Sequence, residues 1–211
     1  MPTYNTVPYE VIAGASIALY TNAADTAKPT LDDDDTDLTG DSWTKVGVSG
    51  ELSYDNGSGV VIEHPQSINF WRALGDSGSR KAFRTEEDCM VKVKVVDLRL
   101  ETYALALNGN TITTTAAGVG TVGFKTLGLS RNLAVNTKAL LVRLLVSPYG
   151  ADWIGQYYFP RVAIIGSPNV QFMKGDPAGL ELQFQALVDP NAASADARFG
   201  VLEFQHANAT A

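Results

Sequence analysis

The sequence predicts a mainly β fold, a β-sandwich or barrel of antiparallel strands with one flanking α-helix. Three observations predict it. Apolar and polar residues alternate along several segments, clusters of turn-forming residues separate those segments, and only one segment has helical periodicity. The chain has 211 residues, of which 45% are hydrophobic and 18% are charged. This composition is typical of a globular protein, and no linker divides the chain, so we expect a single domain over residues 1–211.

The first strand is predicted between Trp43 and Asp55, where one face of the alternation is apolar and the other polar. The apolar face consists of Val46, Val48, Leu52 and Tyr54, and the polar face includes Lys45, Ser49, Glu51 and Ser53. Asn56-Gly57 follows, before the strand-like run Gly59 to Glu63. An Asn-Gly pair between two strand-like runs favours a β-hairpin.

Five later segments also predict strands. The segment from Met90 to Val96 alternates valine with lysine, and the segment from Leu180 to Val188 alternates apolar residues with Glu and Gln. The other three are Ala139 to Ser147, which reads as buried on both faces apart from Arg143, Tyr157 to Ile165, and Phe199 to Gln205. Pro160 lies inside the segment from Tyr157 to Ile165. It predicts an edge or a bulge there, because proline lacks the N–H that a sheet ladder needs.

One helix is predicted, over residues 97–108. Its apolar residues recur at i, i+3, i+4 and i+7, at Leu100, Tyr103, Ala104 and Leu107. We expect Asp97 to cap its N-terminus and Asn108-Gly109 to end it.

A long acidic loop is predicted at about residues 22–42. The chain carries a net charge of −7, and residues 25–41 hold seven aspartates against Lys28 alone. The rest of the chain is therefore almost neutral. The negative net charge argues against a protein that binds nucleic-acid phosphates tightly. A Ca²⁺-binding EF-hand loop starting at Asp33 would need Gly at position 38 and Glu at position 44, where the sequence has Leu38 and Thr44. A solvated loop is the better interpretation, with weak binding of a divalent ion left open.

The sequence offers no catalytic constellation. Its two histidines, His64 and His206, and its one cysteine, Cys89, have no metal-ligand spacing and no evident base or nucleophile beside them. The glycine-rich motif at 118–123 matches G-x-G-x-x-G, but a strand-like run follows it where a dinucleotide site needs a helix, so a glycine-rich loop is the better interpretation. We therefore expect neither an enzyme nor a cofactor.

We expect neither a signal peptide nor a membrane span. A single cysteine allows no intramolecular disulfide, which suits a reducing cytoplasm. The segment Met1-Pro2-Thr3-Tyr4 lacks the features of a signal peptide, and the longest apolar run, Leu140 to Val146, is too short for a membrane span.

A series of short motifs follows in order between residues 43 and 205. They are Trp43-Thr44-Lys45-Val46-Gly47, Phe83-Arg84-Thr85-Glu86-Glu87-Asp88 before the Val/Lys strand, Asp97-Leu98-Arg99-Leu100-Glu101-Thr102-Tyr103, Leu107-Asn108-Gly109, Tyr158-Phe159-Pro160-Arg161-Val162, Lys174-Gly175-Asp176 and Asp189-Pro190. In this series the chain resembles the major tail tube proteins of long-tailed bacteriophages. The acidic insert at 25–41 is not accounted for by the family pattern.

The resemblance implies a structural virion protein. Six copies would form a ring, and rings would stack into a hollow tail tube through which viral DNA passes into the host without specific binding. Four strands per subunit would join into a barrel that lines the lumen. The implied partners are further copies of the chain, a tape measure protein in the lumen, and tail terminator and distal tail proteins at the ends. Assembly would take place in the cytoplasm of the bacterial host, without contact with a membrane.

Two sets of residues are candidates for roles in such a tube. Acidic and amide side chains suit a bore that must not bind DNA, and the lumen-lining candidates are Glu51, Glu63, Glu181, Gln183 and Gln185. For each of them an ordinary solvated sheet face remains an alternative. The candidates for contacts between rings are the acidic run Asp32, Asp33, Asp34, Asp35 and Asp37 against the basic residues Arg72, Arg80, Lys92 and Lys94. The outer wall and the lumen are alternative positions for the acidic loop.

Two further hypotheses concern the loop and the class of protein. A loop that is disordered in the free subunit and becomes ordered on stacking would delay polymerisation until an initiator is present. The alternative to a tube protein is a monomeric β-sandwich that binds carbohydrate or a host surface. Its binding platform would be formed by exposed aromatic residues, with Trp43, Trp71, Trp153, Tyr157 and Tyr158 as candidates.

Overall fold

The computed structural model describes residues 11–12, 17–31, 38, 43–150 and 153–208. In those residues it contains twelve β-strands, one α-helix and two short 3₁₀ helices, at Gly50–Ser53 and Ala195–Ala197. The elements are β1 (Ile17–Ala23), β2 (Thr44–Lys45), β3 (Val60–Glu63), β4 (Gln66–Trp71), β5 (Lys81–Glu87), β6 (Met90–Val95), α1 (Leu100–Ala106), β7 (Ile112–Thr115), β8 (Phe124–Leu127), β9 (Thr137–Leu144), β10 (Gly155–Ile165), β11 (Leu180–Ala186) and β12 (Val201–Phe204).

Eight strands form one antiparallel sheet. Its order is β2-β1-β9-β10-β11-β6-β3, and β12 pairs with the first half of β10 while β11 pairs with the second half. The sheet curls around one core, because residues of β1 and β9 share a buried cluster with residues of β6 and β11. The prediction of a mainly β, sandwich-like fold with antiparallel strands and one helix is confirmed.

Tyr54 joins the two edges of the curled sheet. It forms an isolated bridge with Val95 of β6 at one edge. At the other edge its hydroxyl accepts a hydrogen bond from the Leu19 N–H of β1 (2.9 Å) and donates one to the carbonyl of Val46, just after β2 (2.8 Å). Burial of this hydroxyl raises the pKa of Tyr54 well above its usual range. One side chain thus closes the sandwich.

The strand predicted from Trp43 to Asp55 is wrong. Only the two residues of β2 form a strand there, and a 3₁₀ helix occupies Gly50–Ser53 before the chain becomes extended again at Tyr54. Gly47 and Gly50 have φ angles of 82° and 58°, a region that turns the chain out of a strand. A Cβ at Gly47 would lie 2.6 Å from Cβ of Ser53, so this turn packs too closely for a side chain.

The hairpin predicted at Asn56-Gly57 is wrong as well. Tyr54 and β3 both pair with β6 in the antiparallel sense, so the chain leaves the edge of β6 and returns to it without reversing. The Asp55 carboxylate stabilises the turn between Tyr54 and β3, because it accepts hydrogen bonds from the N–H and the hydroxyl of Ser58, at 3.1 and 2.9 Å. The Asn-Gly pair therefore forms a turn within one edge segment and not the end of a hairpin.

The helix is shorter than the predicted 97–108. Asp97 does not cap it: Arg99 occupies the cap position, and the Asp97 carboxylate accepts hydrogen bonds from the Val48 N–H (3.1 Å) and the Ser53 hydroxyl. The predicted C-terminal signal is confirmed. Asn108 and Gly109 have φ angles of 73° and 75°, and the Gly109 N–H donates to the carbonyl of Ala104 (2.7 Å).

Five of the predicted strands are confirmed as β6, β9, β10, β11 and β12. The register of β9 against β10 shifts between Phe159 and Val162, so Pro160 lies at a bulge, as predicted. The glycine-rich motif at 118–123 forms the turn between β7 and β8, which confirms the loop interpretation.

A second, smaller core lies on the opposite face of β1 and β9. Leu38 and Trp43, which are 0% and 4% exposed, pack there against Tyr20, Ala139 and Leu141. Because both faces of β9 are covered, its residues from Ala139 to Leu144 are all buried. Leu38 lies directly after the acidic run, so the predicted loop is anchored to the sheet at that point.

None of the helices in the described residues is long and apolar enough to cross a membrane.

Candidate assembly surfaces

One face of β3, β6 and β11 carries most of the predicted lumen residues. In the sheet register Lys94 is opposite Glu181, Lys92 lies between Val61 and Gln183, and Met90 lies between Glu63 and Gln185. The opposite face points into the core through Val91, Val93 and Val95. We call the solvent side the polar sheet face, defined by Glu63, Lys92, Lys94, Glu181, Gln183 and Gln185.

The two lysines of the polar sheet face are paired with carboxylates of the same chain. Lys92 Nζ lies 2.8 Å from a Glu63 oxygen, and Lys94 Nζ lies 3.6 Å from an Asp55 oxygen. The amides add hydrogen bonds, since Gln183 donates to Glu181 (2.7 Å) and Gln185 donates to Asp88 (3.0 Å). The face is therefore polar without an excess of positive charge.

The structure places residues predicted to line the lumen and residues predicted to contact the next ring on the same sheet face. Lys92 and Lys94, predicted at the boundary between rings, lie on the same sheet face as four of the five predicted lumen residues. Glu51 is separate from that face, because it lies on the 3₁₀ helix between β2 and β3. Sequence reasoning could not reveal this arrangement, because the register between β6 and β11 depends on contacts distant in sequence.

Strands β4 and β5 form an arm that belongs to no larger sheet. We call residues 66–87 the charged arm, because seven of its residues are charged: Arg72, Asp76, Arg80, Lys81, Arg84, Glu86 and Glu87. Its strand residues are all exposed. Arg72 and Arg80, two of the predicted inter-ring residues, lie at its turn, where Arg80 pairs with Asp76 (2.7 Å) and Arg72 donates to Ser79 (3.1 Å).

Strands β7 and β8 form a second arm of different chemistry. We call residues 111–136 the uncharged arm, because Lys125 and Arg131 are its only charged residues. None of its residues is buried, and only Ile112 and Leu127, which pair with each other, are even partly covered. Its exposed apolar side chains are Val119, Val122, Phe124, Leu129, Leu133 and Val135. The strand-like run noted after the glycine-rich motif is β8, but sequence reasoning predicted neither this arm nor the charged arm as a pair of strands.

The first part of the predicted acidic loop is bound to the sheet. We call residues 24–31 the strap. Asp25 forms an ion pair with Arg161 (2.6 Å), and the Tyr158 hydroxyl donates to the Thr26 carbonyl (2.6 Å). The hydrogen bond from Arg161 holds the pKa of Asp25 below its usual range. The predicted inter-ring residues Asp32, Asp33, Asp34, Asp35 and Asp37 lie outside the described residues. The hypothesis that this part of the loop becomes ordered on stacking therefore stays a prediction.

A buried polar network lies under the strap. Arg143 and Gln156 are 0% exposed, and Nη1 of Arg143 donates to Oε1 of Gln156 (2.6 Å). Gln156 in turn donates to the carbonyl of Pro29 (2.9 Å) and to Glu203 (2.8 Å), which also pairs with Lys28. Arg143 is the one charged residue in an otherwise apolar run of the sequence, and these hydrogen bonds explain how it can be buried.

The residues considered for catalysis lie apart from one another. Cys89 is buried, and burial raises the pKa of its thiol to about 11. His64 and His206 are exposed at the end of β3 and after β12. In the part of the chain that the structure describes, no group of three or more His, Cys, Asp or Glu is arranged to hold a metal ion.

The aromatic residues predicted for a binding platform do not form one. Trp43 is buried in the second core, and Tyr157 stacks on Phe159 within β10 at a centroid distance of 6.5 Å. Tyr158 lies on the opposite face of β10 and donates to the strap, and Trp153 is half-buried. Only Trp71, on the charged arm, is largely exposed, at 53%.

A β-sandwich that projects two exposed two-stranded arms has the form of a structural protein that contacts other chains. A family model described as phage tail tube protein matches residues 6–198. The chain therefore belongs to the phage tail tube protein family, and the predicted resemblance is confirmed. It is thus a structural tail tube protein of a bacteriophage virion. No curated protein matches the chain.

Proposed function

We propose that this chain forms six-membered rings that stack into the hollow tail tube of a bacteriophage, and that the viral DNA passes through the tube into the host. The family match over residues 6–198 is the observation that carries the proposal. The two exposed arms support it, because a two-stranded hairpin alone in water is only marginally stable and gains stability by packing against a partner.

The dimensions of such a ring suit DNA. Four strands from each of six copies give a barrel of 24 strands; at about 4.8 Å between strands and a tilt of about 40°, its backbone diameter is about 48 Å. Side chains reduce the bore to about 38 Å, which is wider than a DNA duplex. The closed barrel would also remove the free sheet edges of each subunit.

The polar sheet face is our candidate for the lining of the bore. Glu63, Glu181, Gln183 and Gln185 present carboxylates and amides, which repel or ignore phosphates. Lys92 and Lys94 share the face, but their pairing with Glu63 and Asp55 offsets their attraction for DNA. A lining without unpaired positive charge would let DNA slide without binding.

Contacts between rings are assigned to the acidic run and the charged arm. Because Lys92 and Lys94 lie on the proposed bore lining, Arg72 and Arg80 are the better basic partners for Asp32, Asp33, Asp34, Asp35 and Asp37 of the next ring. At its ends and in its lumen the tube would meet tail terminator, distal tail and tape measure proteins. Assembly would take place in the cytoplasm of the bacterial host.

Sedimentation velocity and negative-stain imaging of the purified chain test the proposal. We expect particles of at least six chains, visible as rings or tubes with an open centre. A chain that stays monomeric at every concentration would contradict the proposal and would favour a monomeric binding protein.

A further inference from the structure

The uncharged arm exposes an unusual amount of apolar side chain for a surface segment. Val119 and Leu133 are fully exposed, Val122 is 80% exposed and Leu129 is 71% exposed. An exposed apolar surface of this kind on a soluble protein marks a site of contact with another molecule. The arm has few features that would protect it from association, since it lacks acidic residues and proline and Lys125 is the one charged residue of its two strands.

Both positive charges of the uncharged arm already have partners in the same chain. Lys125 Nζ lies 2.7 Å from a Glu101 oxygen. Arg131 donates to the carbonyl of Gly166 (2.8 Å) and to that of Ala106 (3.3 Å). A partner of the arm therefore finds a mainly apolar surface on which one cation is ion-paired and the other is hydrogen-bonded within the chain, and such a surface does not favour an acidic macromolecule such as DNA as its occupant.

The base of the arm is held rigidly at the end of α1. The Asn108 side chain donates to the carbonyl of Ala134 (2.7 Å) and accepts from the N–H of Asn136 (2.6 Å). The Asn110 side chain donates to the carbonyls of Gly128 (2.7 Å) and Ser130 (2.6 Å). These bonds fix residues 128–136 in place, so that Leu129, Leu133 and Val135 are presented with little entropy left to lose on binding.

We propose that the uncharged arm is the permanent, salt-insensitive contact between one copy of this chain and a second copy. The inference rests on the proposed function, because the second copy is the partner that a self-assembling tail tube protein supplies. The charged arm provides the contrast within the same molecule: it has a similar length and exposure but seven charged residues. The uncharged arm thus provides the contact that does not depend on charge.

The test places a charge on the arm and, as a control, on an equally exposed leucine elsewhere. Leu133→Asp and Val119→Asp alter the base and the tip of the arm, and Leu52→Asp alters a residue of the 3₁₀ helix that is 80% exposed. Circular dichroism and the thermal midpoint of the monomers check that each variant folds. Sedimentation velocity then gives the concentration at which half of the chains are in assemblies, with and without about 1 M NaCl, where the Debye length is about 3 Å.

We expect both arm variants to raise that concentration by at least about 100-fold, since a buried charge without a partner replaces an apolar anchor at the contact. Leu52→Asp is expected to change it by less than about threefold. In the wild type, amides of β7 and β8 should exchange hydrogen at least about tenfold more slowly in assemblies than in monomers, also in high salt.

The outcomes separate this inference from the proposed function. If the wild type does not assemble, the proposed function fails. If the wild type assembles and the arm variants do so equally well, the inference alone is wrong. It is also wrong if Leu52→Asp blocks assembly as strongly as Leu133→Asp, or if protection of β7 and β8 disappears in high salt.

Discussion

Arg143 is a fully buried cation near the C-terminal end of β9, and its surroundings explain how the fold accommodates it. Oε1 of Gln156 and the carbonyl of Thr30 accept hydrogen bonds from its guanidinium, at 2.6 and 3.4 Å. A buried charge is tolerated only where such partners exist. The network therefore ties the strap to the sheet through residues that are more than 100 positions apart in sequence.

Replacing Gln156 by leucine should be strongly destabilising. Gln156→Leu removes an acceptor of Arg143 and the donor to Pro29 and Glu203, and we expect it to lower the free energy of unfolding by about 2–3 kcal/mol. Lys28→Ala removes an exposed ion pair with Glu203 and should cost no more than about 1 kcal/mol. Urea unfolding measures both, and equal losses would contradict this account of the network.

At the level of elements, the sequence predicted best those strands that have a buried face. The alternation in β6 and β11 and the apolar run in β9 record directly which side chains are covered. The two arms lack such a pattern of apolar residues, because β4 and β5 are exposed on both faces and β7 and β8 are nearly so. Apolar and polar residues also alternate along residues 43–55, but they do not form one strand, because Gly47 and Gly50 have positive φ angles that turn the chain.

The closure of the sandwich at Tyr54 can be tested by removing one oxygen atom. Tyr54→Phe leaves the Leu19 N–H and the Val46 carbonyl without their partner in a buried place. We expect a loss of about 1–3 kcal/mol in the free energy of unfolding, measured with urea. Tyr149→Phe, at a residue that is 60% exposed, is the control and should change it by less than about 0.5 kcal/mol. A neutral Tyr54→Phe would show that the hydroxyl does not hold the two edges together.

The strap should weaken in acid. The Arg161 hydrogen bond lowers the pKa of Asp25 from its ordinary value of 3.8. For Glu203, desolvation raises the pKa, but hydrogen bonds from Lys28 and Gln156 outweigh it and the net shift is downward. A carboxyl with a lowered pKa binds fewer protons in the folded state, so its stabilising effect is present above the ordinary pKa and is lost as the pH falls through the folded value.

Thermal unfolding between about pH 7 and pH 3 measures this effect. Below about pH 4, the midpoint of the wild type should fall more steeply than that of Asp25→Asn, which has no carboxyl to protonate. Asn is a suitable replacement because Asp25 has a φ angle of 62°, which asparagine tolerates well. Parallel curves for the two proteins would mean that the pair of Asp25 with Arg161 does not stabilise the strap.

At the scale of the whole molecule, the proposed stacking of rings depends on the acidic charge of one segment, whereas the other proposed contact between copies does not depend on charge. Replacing Asp32, Asp33, Asp34, Asp35 and Asp37 by asparagine removes the charge and keeps the length of the segment. Deleting the segment through Leu38 would be a poor test, because Leu38 is buried in the second core. We expect the neutralised variant to form rings but shorter or fewer tubes in negative stain. Arg72→Gln combined with Arg80→Gln should give the same result, and normal tubes in both variants would contradict the ionic contact.

The sequence could predict the class of protein and the chemistry of its candidate sites, but not their grouping. Glu181, Gln183 and Gln185 were found as the polar side of one alternating strand. Their neighbours Lys92, Lys94 and Glu63 become part of the same face only through pairing between strands. The sequence also did not show that two arms lie outside the main sheet, because exposure to solvent is a property of the folded chain.

A cryo-electron microscopy reconstruction of the assembled tube tests the central claim most directly. The account predicts six copies per ring and a bore of about 38 Å. It also places the polar sheet face, with Glu63, Glu181 and Gln183, on the inner wall. A tube with another number of copies per ring, or one in which that face lies on the outer wall, would contradict it.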